Sequence, residues 1–173
     1  FTNLVETEED REKTKTPSAT LLAEDEKRII QEAEVLFHGI APFHMAGMTM
    51  HLGIWDSITQ WMGVENCYIE LMDRPAFMHA IMERATSGME SLIDNMNRQG
   101  LFDVYTNICH CSYTYLDELP TPGCDSDRPQ SKDVWAFGLA QLFSSVSPDI
   151  TAEFEVPYMK RIFSKFGAIY YGC

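Results

Sequence analysis

At 173 residues, a formal charge of −13 and 45% hydrophobic residues, the chain has the composition of a folded protein with a sizeable core rather than of a disordered one. The acidic balance argues against electrostatic binding to nucleic acid or to an anionic membrane, because both need clustered lysine and arginine. No apolar run approaches the roughly 18 residues of a membrane span, no signal peptide is visible, and five cysteines without regular spacing beside ten methionines suit a reducing compartment. A cytoplasmic protein acting on small molecules is expected.

Residues 1–20 carry Glu6, Glu8, Glu9, Asp10 and Glu12 and close on Pro17 and Ser18, which predicts a solvated acidic opening segment ahead of a single α/β domain over residues 21–173. Residues 22–38 have helical spacing, with Ile29, Ala33, Leu36 and Phe37 on one face and Gly39 as the stop. Residues 40–54 hold three methionines, His44 and His51, and read as a loop with a short strand at 48–52; such a stretch either lines a pocket or fills the core adaptably. A short helix follows at 55–62, capped by Gly63, and another at 65–72. The Asp73-Arg74-Pro75 break launches the longest helix, whose stripe of Met78, Ile81, Met82, Ala85, Met89, Leu92, Ile93 and Met96 is a face for packing on a sheet, and Gly100 ends it. His79 lies off that stripe and is expected on the surface.

Residues 101–111 contain the strand formers Phe102, Val104, Tyr105 and Ile108, and residues 113–132, with Pro120, Pro122, Gly123 and Pro129, form a long irregular loop. The dense apolar run at 134–143 predicts a strand buried on both faces. Ser147-Pro148-Asp149 is a helix start, and apolar positions Phe154, Tyr158, Ile162 and Phe166 carry that helix to Gly167 with a kink at Pro157. Residues 168–171 then form a short strand that delivers Cys173 at its carboxyl end, where parallel sheets and barrels keep their chemistry. Helix followed by strand, several times over, is an α/β order.

Cys109-His110-Cys111 is the most conspicuous reactive cluster. On an extended strand Cys109 and Cys111 share one face and His110 turns to the other. Two readings stand: half of a zinc shell, or buried free cysteines acting as small hydrophobes.

The run SPDITAEFEVPYMKRIFSKFGAIYYGC resembles a barrel segment of the uroporphyrinogen decarboxylase superfamily, which includes zinc-dependent, corrinoid-linked methyltransferases. WDSITQWMGVENCYIELMDRPAFMHAIMER looks like an earlier segment of the same barrel, so the resemblance covers residues 43–173. It implies part of a (β/α)8 TIM barrel, an internal piece that continues beyond Cys173, since a whole barrel takes roughly 250 residues. It also implies methyl transfer between a corrinoid and a thiol or other small acceptor. Tetrapyrrole decarboxylation, which needs no cofactor, and a non-catalytic remnant of the barrel are the alternatives. On this resemblance Cys173 is the candidate catalytic residue and matches the cysteine of a zinc-binding His-x-Cys pair; Tyr171 stands where the family has histidine and is a candidate substrate contact, as is Gln141, which falls near a substrate contact of the family or caps a strand. Cys109, Cys111 and Cys173 are then the candidate zinc ligands, and the partners are a small-molecule substrate, a corrinoid protein and the rest of the barrel or a second copy of the chain.

Overall fold

The structure, a computed structural model, describes residues 3–106 and 108–172. Its first helix, α1 (Glu8–Glu12), starts from a reciprocal cap in which the Thr7 hydroxyl accepts from the Asp10 N–H and the Asp10 carboxylate accepts from the Thr7 N–H. The opening segment is not merely solvated. Val5 is buried, the Leu4 N–H donates to the Trp61 carbonyl at 2.7 Å, and Arg84 donates to Glu12 and Thr14. These contacts pin it to the domain that follows.

Helix α2 (Ala23–Phe37) forms where the periodicity predicts it, yet only Ala33 of its apolar face is buried. Strand β1 (Met50–Leu52), α3 (Ile54–Met62) and α4 (Val64–Asp73) follow in close succession. Pro75 occupies the first turn of α5 (Pro75–Gln99), and Gly100, at φ 68°, supplies the left-handed residue that closes it. Met78, Ile81, Met82, Ile93 and Met96 of the predicted stripe are buried, with Ala85, Met89 and Leu92 packed at its margin.

The strand predicted over residues 101–111 does not form as one element. Phe102 makes a single parallel bridge with Met48, and the Asp103 carboxylate then accepts from the Tyr105 N–H at 2.8 Å. That local bond turns the backbone away from the sheet. The remainder is a two-stranded antiparallel hairpin, β2 (Ile108–Cys109) and β3 (Ser112–Tyr113), with His110 at φ 58° in its turn. Strand β4 (Trp135–Gly138) is shorter than the apolar run that contains it, because Gln141–Ser145 wind into a 3₁₀ turn.

After Ser147, whose hydroxyl caps the Ile150 N–H, the predicted single kinked helix is two helices, α6 (Pro148–Phe154) and α7 (Val156–Phe163). Pro157 has no N–H and its ring crowds the carbonyl four residues earlier, so the break falls at Glu155. Strand β5 (Ala168–Tyr171) closes the order as predicted.

β1, β4 and β5 form one parallel sheet in the order β1-β4-β5, with His51, Phe137 and Tyr170 in register across it. Alternation divides its two faces. Met50, Leu52, Ala136 and Ile169 join the core beneath α3, α5, α6 and α7, while His51, Phe137 and Tyr170 face the other way. The hairpin covers that second face through His110, whose ring stacks on Phe137 at 4.3 Å. The fold is α/β with a small open sheet, and the described residues form no closed barrel. No helix among them is long and apolar enough to cross a membrane.

Candidate functional site

The carboxyl ends of the three parallel strands converge on a short stretch that includes Gly53, Gly138 and Tyr171. Gly138 has no room for a side chain: a Cβ there would sit 2.4 Å from Phe163 Cζ and 3.2 Å from Tyr171 Cδ2. The Tyr171 ring therefore passes over Gly138, and its hydroxyl donates to Glu155 Oε1 at 3.0 Å.

Glu155 arrives there because Pro157 breaks the helix. The break is fastened to α3 by the Trp55 indole N–H, which donates to the Phe154 carbonyl at 3.2 Å. Glu155 is only 4% exposed, whereas Tyr171 is 51% exposed. Burial raises the Glu155 carboxyl above its ordinary value of 4.5, and the hydrogen bond from Tyr171 offsets that only in part. The Tyr171 phenol is raised too, by burial first and then by the nearby charges of Glu155 and Asp56. A buried carboxyl with a raised pKa, accepting a hydrogen bond from a tyrosine that is half exposed, is a candidate for proton transfer.

The other sequence candidates distribute differently. Gln141 is exposed in the 3₁₀ turn just past β4, so it does lie beyond the carboxyl end of that strand. Cys173 lies outside the described residues. Cys109 and Cys111 do not share a face: the left-handed turn at His110 leaves Cys109 buried and Cys111 exposed. Nor does His110 turn away, since its Nδ1 lies 3.0 Å from Cys111 Sγ and its ring stacks on Phe137 beside His51. Burial raises the Cys109 thiol, which opposes the thiolate that zinc needs. Among the described residues no three histidine, cysteine or carboxylate side chains gather around one centre. The described residues do not by themselves assemble a zinc shell, and Cys173, the leading candidate ligand, lies outside them.

His79, expected on the surface, is half-buried. Its ring stacks on Phe154 at 4.3 Å, and Nδ1 shares a 2.8 Å hydrogen bond with the Tyr158 hydroxyl.

Glu155 was not among the residues singled out from sequence, although a signal for it exists. It shares a helical stripe with Met159, Ile162 and Phe166, all buried, and a carboxylate on an apolar stripe is a polar group that the fold must satisfy.

These features define an α/β protein with a parallel sheet, helices on one face and a buried glutamate hydrogen-bonded to an exposed tyrosine at the strands' carboxyl ends. Comparison with known proteins finds no matching family model, no matching curated protein and no matching solved structure.

Proposed function

We propose that the chain is part of a uroporphyrinogen decarboxylase-like barrel enzyme that moves a methyl group between a corrinoid and a small acceptor, with Tyr171 and Glu155 handling the acceptor's proton. The observation that carries this reading is the hydrogen bond between solvent-facing Tyr171 and buried Glu155 at the carboxyl end of a parallel sheet. Substrates of barrels and open parallel sheets bind at that end. Support for the barrel comes from the division of the sheet's faces, helices on one side and a row of rings from His51, Phe137 and Tyr170 on the other.

In the transfer, the acceptor atom X of an X–H group attacks the methyl carbon of a methylcorrinoid, which enters as a substrate. The X–C bond forms, the cobalt–carbon bond breaks with its electron pair left on cobalt, and the X–H proton must go elsewhere. Tyr171 passes it to the Glu155 carboxylate. Burial makes that carboxylate a stronger base than an exposed one once it is ionised. The residue that replaces the histidine of the methyltransferases' His-x-Cys pair would thus serve as a proton carrier rather than as a ligand.

The test is turnover of methylcobalamin by the chain with a panel of small thiols, read from the absorbance of cob(I)alamin. Glu155→Gln and Tyr171→Phe are each expected to lower kcat by roughly 10²–10⁴-fold with the far-ultraviolet circular dichroism unchanged. Wild-type rates in both variants would remove the pair from the reaction. Carbon dioxide release from uroporphyrinogen, in place of methyl transfer, would move the reading to decarboxylation.

A further inference from the structure

A cavity of about 250 Å³ lies between the opening segment, α3 and α5, and neither Glu155 nor Tyr171 borders it. Trp61, Ile81, Ala85 and Met89 give it apolar walls, and Arg11, Lys15 and Arg84 form its cationic side.

Two of these three cations are already engaged. Arg11 pairs with Glu8 at 2.6 Å and with Glu12 at 2.8 Å. Arg84 donates to Glu12 Oε2 at 3.0 Å and to Thr14 Oγ1 at 2.6 Å, and also to the backbone carbonyls of both residues, which holds the opening segment against α5. Lys15 enters no ion pair among the described residues. The residues that line the cavity include these three cations and no carboxylate, in a chain whose formal charge is −13.

We infer that the cavity binds a small monoanion with an apolar body, of the chemical class of a medium-chain carboxylate, with its tail against Trp61 and Met89 and its charge at Lys15. The walls supply the affinity and the lysine supplies the choice of an anion over a neutral analogue. Arg84 is a positioning residue here, because its donors build the strap that closes the cavity. The site does not depend on the proposed reaction, since neither Glu155 nor Tyr171 lines it, although His51 and Gly53 of the β1 end do.

Isothermal titration of the chain with octanoate and with octanol tests the inference. Octanoate is expected to bind about tenfold more tightly than octanol, as one charge-assisted contact implies. Shortening the carboxylate one methylene at a time should weaken binding about fourfold per step. Lys15→Ala, at an exposed position, should bring the two affinities together. Ala85→Leu and Ser57→Leu each fill the cavity, from α5 and from α3 respectively, and each should weaken both ligands at least tenfold, with Ser57 exposed enough to leave the fold intact. Equal affinity of the wild type for octanoate and octanol overturns the anion assignment. Undiminished binding in both filling variants overturns the cavity assignment and places the ligand on another apolar surface.

Discussion

Glu155 ties sequence, fold and chemistry together at a single residue. Its position follows from Pro157, its burial from the α6–α7 junction packed on Trp55, and its raised pKa from that burial. The sign of its contribution to stability is fixed by this shift. Below its ordinary 4.5 the carboxyl is protonated in both folded and unfolded chains. Above that value the unfolded chain ionises first, so stability falls as pH rises through the higher folded value. Carboxyls held low, such as Glu83 beside Arg161, contribute the opposite slope, so the difference between variants is the quantity to follow. Glu155→Gln should gain stability over the wild type as pH rises from 4.5 towards neutrality. Urea midpoints measured across that range would settle it, and parallel pH profiles for the two proteins would sink the idea. Gly138 gives a second expectation at this scale. Gly138→Ala puts a methyl inside the Phe163 ring's space and should cost about 1–3 kcal/mol, read from the same denaturation curves.

Helices α2 and α5 carry apolar stripes of the same kind, and both stripes were legible in the sequence. Only α5 buries its stripe. Periodicity states which residues share a face but not whether a sheet waits opposite it, and three short strands have surface for α3, α5, α6 and α7 but not for α2. The consequence is measurable with paired truncations. Met82→Ala, at a fully buried site, should cost 2–5 kcal/mol, roughly the range for large-to-small core changes. Leu36→Ala, at a site 71% exposed, should stay within about 0.5 kcal/mol. Comparable losses in the two would mean that α2 is covered in solution.

The strands illustrate the same limit from the other side. Residues 168–171 fold as read, whereas 101–111 and 134–143 contain strand formers in runs that side-chain hydrogen bonds and a 3₁₀ turn cut short. Strand geometry puts Cys109 and Cys111 on one face and His110 on the other, and the positive φ at His110 reverses that arrangement. A left-handed histidine is uncommon enough that no sequence signal announces it.

For the molecule as a whole, the four strand positions expected near Met48, Phe102, Val134 and Ala168 yield a three-stranded sheet and one bridge, with β1 paired directly to β4. Two strands, β1 and β5, remain edges. Apolar surface is also left uncovered on α2 and the turn after it: Val35, Leu36, Phe37, Ile40 and Phe43 are all exposed, with the rings of Phe37 and Phe43 stacked on one another. Monomers rarely leave a contiguous patch of this kind open. The chain alone is therefore expected to bind an apolar dye and to sediment as an associating species. Because the patch sits on α2 and the turn after it, outside the buried core, Val35→Lys with Leu36→Lys should abolish both behaviours while leaving the denaturation midpoint nearly unchanged. If the wild type sediments as a monomer and binds no dye, this surface is satisfied within the chain.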